Sequence, residues 1–172
     1  FDSERKDLRQ IDQRTSLKES GARILKALKN EKSTLAIMRL QVYYAHAMCI
    51  YKTKFEKAEK KQIRKHLPSC LIIDPGSFQD NVAKKQEGMK YCFGLIDECN
   101  LLVFTRLLGK VTSGVGLEIR HAISKGIPVF ELKDRSMKQI TKPVKYLSRE
   151  DTREYYSLWR STTGQVLRAP LS

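Results

Sequence analysis

Four short apolar runs, separated by charged stretches of helical period, most constrain what this chain can fold into. They are 40–45 (LQVYYA), 70–74 (CLIID), 101–104 (LLVF) and 127–132 (IPVFEL). The segments between them, 54–66, 82–99 and 115–125, carry the helical spacing. Strands of this length alternating with helices are parallel βαβ units, since a parallel neighbour is reached only through a long crossover. Helices then cover both faces, which explains near-continuous apolar strands instead of a strict alternation. Right-handed crossovers leave few arrangements of four such strands. The expected fold is therefore α/β, a doubly wound parallel sheet ordered 2-1-3-4(-5). In the tail, 137–140 and 144–147 are candidate short strands around Pro143. Ser148 with Asp151 resembles a capping box opening a last helix, 149–159.

Residues 1–38 are of another kind. They are charged and free of proline, and Ile24, Leu25, Leu28, Leu35 and Met38 form one apolar stripe. The expected organisation is a helical arm over 1–38 followed by an α/β domain over 39–172. The stripe needs cover, either from that domain or from a second subunit. A homo-oligomer is the expectation.

Charge and cysteine usage narrow the partners. Thirty-three Lys+Arg against 19 Asp+Glu leave a formal charge of +14, which suits an anionic partner or a well-solvated basic surface. Lys57, Lys61 and Arg64 fall on one helix face and offer nucleic acid a contact, although Glu56 and Glu59 interrupt it and aromatic residues are not interleaved. The four cysteines make no CxxC pair and meet no matching histidine cluster, so neither a metal nor a cofactor is expected. They read as buried thiols of a reducing cytosol. No run is long and apolar enough to span a membrane and none reads as a signal peptide, so a cytoplasmic protein is expected.

The chemistry concentrates in 112–122, TSGVGLEIRHA, between the third and fourth runs. Gly114 and Gly116 would let the backbone turn tightly and a ligand approach. Amide groups near Thr112, Ser113 and Gly114, aided by Lys110, would hold an anion at the helix start. Glu118 follows among apolar neighbours. In a doubly wound sheet ligands bind beyond the carboxyl ends of the strands, where the strand order reverses. The segment after the first strand, with Tyr43, His46 and Ala47, would converge there. Each residue has a plainer reading: Glu118 as a first-turn acid favoured by the helix dipole, Tyr43 as a strand aromatic, Asp97 as a solvated helix residue, Thr112 and Ser113 as caps.

SGVGLEIRHA, with VYYAHAM at the first strand and NLLVF upstream, resembles the nucleoside 2-deoxyribosyltransferase superfamily. The likeness is closer to its deoxynucleoside monophosphate N-hydrolases. It covers roughly 40–132. The resemblance implies a flavodoxin-like (Rossmann-like) sheet, a homodimer and an N-glycosidase in which Glu118 is the catalytic glutamate, Tyr43 the tyrosine after the first strand, and Thr112 a hydroxyl near the nucleotide phosphate. The chain departs from the pattern at Ala45-His46-Ala47-Met48, where glycine and serine are usual, and at Cys92, where an aspartate is usual.

Cleavage of an N-glycosidic bond builds positive charge at the anomeric carbon. A carboxylate beside that carbon stabilises or attacks it, while a second group holds the departing base. Glu118 fits the first role; Asp97, His46 and Tyr43 are candidates for the second. The expected function is cleavage or transfer of the glycosidic bond of a nucleoside or nucleoside monophosphate. The alternative is a non-catalytic nucleotide-binding or nucleic-acid-binding protein that keeps the fold.

Overall fold

A computed structural model describes residues 40–163. The helical arm expected over 1–38 lies outside the described residues. In chain order the elements are β1 (Gln41–Ala45), α1 (Lys54–His66), β2 (Leu71–Ile73), α2 (Val82–Glu87), α3 (Met89–Asp97), β3 (Leu101–Phe104), α4 (Ser113–Ser124), β4 (Val129–Lys133), β5 (Ser136–Ile140) and α5 (Arg149–Thr163), with short 3-10 turns at Met48–Ile50 and Pro75–Phe78.

The five strands form one sheet ordered β2-β1-β3-β4-β5. β1 pairs in parallel with β2 and with β3, and β3 with β4, whereas β5 returns antiparallel to β4. The α/β architecture and strand order are those expected from the four runs. The antiparallel edge comes from Asp134 and Arg135, whose φ angles of 49° and 65° make the two-residue turn that matches strand twist. Residues 144–147, a candidate strand, are irregular instead. Pro143 removes a backbone donor there, and the stretch is used as a strap over α4.

Side chains of β1 and β3 alternate between two buried layers. Tyr43, Ala45, Leu102 and Phe104 face a core shared with Cys92 and Ile96 of α3 and Val115 and Ile119 of α4. Val42, Tyr44, Leu101 and Val103 face the other core, closed by Ile63 of α1 and by Leu67. A third cluster joins Ala47, Cys49, Ile50 and Leu107, beyond the strand ends, to Trp159 of α5.

The helix expected over 82–99 is two helices. Gly88 breaks it at φ 56°, a left-handed conformation that suits glycine. This break turns α3 so that Cys92 enters the core beneath α4. Thr53 caps α1, accepting from the Glu56 amide, and Ser148 caps α5 through the Asp151 amide at 3.0 Å. No described helix is long and apolar enough to cross a membrane.

Candidate active site

β1 is the strand at which the order reverses, so the crevice between the carboxyl ends of β1 and β3 is the natural ligand position. On the α4 side of it lies Glu118, only 5% exposed. It is the sixth residue of its helix and faces the core, so the dipole-favoured first-turn acid is not its role. Tyr43, projecting from β1 into the same layer, donates its hydroxyl to Glu118 Oε1 at 2.8 Å. The Cys92 thiol touches both.

Burial disfavours the ionised carboxylate and pushes the pKa of Glu118 up to about 7, against the opposing Tyr43 hydrogen bond and Lys84 charge. Burial, and then the charge of Glu118, raises the Tyr43 hydroxyl well above its ordinary value. At neutral pH this is a neutral phenol donating to a carboxyl group poised between its two forms. Such a group can accept or release a proton, or carry negative charge against a cationic centre.

The glycines of the motif work differently from the expectation. Gly114 and Gly116 are not in a loop; both sit inside α4, and neither has a positive φ. Gly116 is small because Tyr146 lies against it: a Cβ there would stand 2.1 Å from Tyr146 Cγ. The Leu147 amide, bonded to Val111 O at 2.9 Å, holds this strap in place. A Cβ on Gly114 would meet nothing within 4 Å, so that side of the helix start is open.

The expected anion pocket is partly taken. The Ser113 N–H donates to Thr152 Oγ1 of α5 at 2.9 Å, and the buried Thr112 hydroxyl meets that of Tyr156. Lys110 is exposed.

His46 and Ala47 do follow β1, but His46 turns away from Glu118. Its ring stacks on Tyr44 with centroids 4.0 Å apart, and its Nδ1 lies 3.0 Å from Tyr44 O. Burial lowers its pKa to about 4, although the neighbouring Asp74 works the other way. Its Nε2 faces Asp74 and Glu56, whose carboxylates also hold Lys60. Between this cluster and Glu118 stands Tyr51, its ring 4.7 Å from that of His46. Its hydroxyl is raised first by burial and then by the charges of Glu118, Cys92 and Asp74.

Asp97 does not join the site. It bonds His121 Nε2 of α4 at 2.7 Å and lies 3.8 Å from Lys125, which ends that helix, with its side chain 41% exposed. A helix-end acid preceding β3 stays near the opposite end of that strand. Tyr51 ends the segment expected to converge on the crevice, whereas the sequence alone assigns neither Asp74 nor Glu56 to a site. One signal was available: Asp74 ends an apolar run before Pro75-Gly76, at a strand's carboxyl end.

On the α1 side of the crevice is a cavity of about 170 Å³. Ala47, Phe55, Glu59, Thr105 and Trp159 are among the residues on its wall; Glu118 is not. Glu59 there accepts from the Tyr44 and Thr105 hydroxyls, and Trp159 Nε1 is buried without a partner among the described residues. Lys57, Lys61 and Arg64 are exposed on α1. Compared with protein-family models, curated proteins and solved structures, the chain matches none.

Proposed function

We propose that the protein cleaves or transfers the N-glycosidic bond of a nucleoside or nucleoside monophosphate, with Glu118 as the carboxylate beside the anomeric carbon. The observation that carries this reading is the Glu118–Tyr43 pair: a buried carboxylate, without a bonded cation among the described residues, held by a phenol at the sheet's switch point. A carboxylate left unpaired inside a protein costs stability, and such groups concentrate where they perform chemistry.

In the reaction the C–N bond breaks as charge builds on the sugar. Ionised Glu118 stabilises or captures that charge, a water or second base forms the new bond to the anomeric carbon, and the proton it gives up ends on the departing base. With Asp97 elsewhere, the protonated hydroxyls of Tyr43 and Tyr51 are the groups at hand to bond the base or the sugar. A substrate would enter past Gly114, the open side of the helix start. The likeness of SGVGLEIRHA to the N-hydrolases points the same way.

The test is incubation with a panel of nucleosides and nucleoside monophosphates, read as free base by chromatography. Wild type should release base, and Glu118→Gln should lose on the order of a hundredfold in turnover while still binding nucleotide. Nucleotide binding without base release would favour the non-catalytic alternative. Salt-sensitive binding of long nucleic acid, abolished by replacing Lys57, Lys61 and Arg64 and without mononucleotide binding, would replace the enzyme reading altogether.

A homo-oligomer belongs to the same proposal. Met48, Leu108 and Leu158 are each more than half exposed. Met48 and Leu108 bond, through their backbones, the hydroxyls of Tyr156 and Tyr155 on α5, the helix that carries Leu158. An apolar cluster of that kind suits a subunit interface. Light scattering across the micromolar range should give more than a monomer mass.

A further inference from the structure

We infer that His46, Glu56 and Asp74 form a binding site for one divalent transition-metal ion of the zinc class, a site distinct from Glu118. The three side chains come from separate elements. His46 leaves β1, Glu56 opens α1 and Asp74 closes β2, so the carboxyl ends of two strands and a helix start meet there. One ligand atom from each lies within 4.8 Å of the others, and all three residues are buried.

The orientation of the imidazole is what points to a cation. His46 Nδ1 lies 3.0 Å from Tyr44 O, and a carbonyl only accepts, so Nδ1 carries the hydrogen. In the neutral ring Nε2 then presents a bare lone pair. Among the described residues that atom has no hydrogen-bond partner, its side chain is fully buried, and it faces Asp74 Oδ1 at 3.8 Å and Glu56 Oε2 at 4.0 Å. A lone pair aimed at two carboxylate oxygens is repulsive unless something positive stands between them. The spacing is too long for direct hydrogen bonds. It suits two donors on one ion, since zinc binds nitrogen and oxygen at about 2.0–2.2 Å and holds neighbouring ligands roughly 3–4 Å apart.

Lys60 does not fill this position. Its ammonium bonds the other oxygen of each carboxylate, Asp74 Oδ2 and Glu56 Oε1. The two oxygens that face His46 are oriented from behind by the Gly76 amide, at 2.7 Å, and the Lys52 amide. Such outer bonds are what hold ligands in place around a metal. Two carboxylates and one ammonium leave the cluster with a net negative charge, which favours a further cation there. Three protein donors of nitrogen and oxygen, with no thiolate, are the donor set of zinc sites that keep a fourth position open. Lys60 is the most exposed member, at 19% for its side chain, so solvent reaches the cluster along it.

The experiment is a titration of the full chain with Zn²⁺ against a chromophoric chelator, under a reductant that does not bind metal. One zinc per chain is expected. His46→Gln and Asp74→Asn should each weaken binding by a hundredfold or more, with folding checked by circular dichroism. Glu118→Gln should bind zinc as wild type does, so this result stands or falls apart from the glycosidase reading. Cobalt(II) gives a readout that needs no variant: visible d–d bands without thiolate-to-cobalt charge transfer. No stoichiometric zinc in wild type, undiminished binding in His46→Gln, or strong thiolate bands with cobalt would overturn the site.

Discussion

Two carboxylates flank Tyr51, both withdrawn from water, and their acidities move in opposite directions. Burial alone would raise Asp74, yet the Lys60 ammonium and the Gly76 amide bring it below its ordinary value. Glu118 has a phenol, a thiol and a more distant Lys84 charge, and burial prevails there, lifting it to about 7. Burial sets only the starting cost; the partner decides the outcome. A carboxylate locked to an ammonium is a structural charge that stays ionised. One bonded to a phenol can change its charge near neutral pH, which suits it to chemistry.

The sharpest way to break this contrast is to remove the cation from the Asp74 side. With a chelator present, Lys60→Met leaves Asp74 and Glu56 as uncompensated neighbours and should cost about 3–5 kcal/mol in urea unfolding. A loss below about 1 kcal/mol would show that the ammonium is a surface partner only.

On the Glu118 side the same kind of change should have the opposite sign. Its pKa is raised in the folded state, so the native protein binds the proton more tightly and stability falls as pH rises from about 4.5 to about 7. Above that range wild type carries the full penalty, about 3 kcal/mol by the arithmetic of linkage. Glu118→Gln should therefore stabilise the protein by about that amount near pH 8.5 and change it little near pH 5. Chemical denaturation at the two pH values checks this.

A smaller effect tests what shields Glu118. Gly116→Ala drives a methyl group into the Tyr146 ring and should cost about 1–3 kcal/mol. Adding Tyr146→Ala should restore part of that loss, a coupling that a double-mutant cycle reads directly. The smallest change is Tyr43→Phe. It removes a hydrogen bond to the ionised carboxylate, worth about 1 kcal/mol, and should lower turnover less than Glu118→Gln while moving the acidic limb of the pH–rate profile upward.

How far the molecule could be read in advance follows from which forces are local. β1, β3 and β4 are visible because a strand covered on both faces must be apolar throughout, and crossover handedness leaves few orders for them. Tyr43 stands out as a polar group inside such a run, and Glu118 as an acid among the apolar neighbours of α4. The use of Gly116 was misread because glycine signals close approach without saying what approaches; here it is Tyr146, thirty residues on. His46 was assigned to the wrong partners for the same reason: Glu56 and Asp74 meet it only through the packing of α1 and β2 around β1. Asp97 looked available because helix period does not tell which end of the sheet a residue occupies. Thr152, which caps α4 from α5, could not be read at all from residues near 113.

The most direct single measurement is the titration of the Glu118 carboxyl carbon by NMR on ¹³C-labelled protein, assigned with Glu118→Gln. An inflection near pH 7 is expected, far above that of an ordinary glutamate. An inflection near 4.5 would mean that water or a cation reaches the carboxylate in solution, contradicting the buried, phenol-held acid on which the proposed chemistry depends.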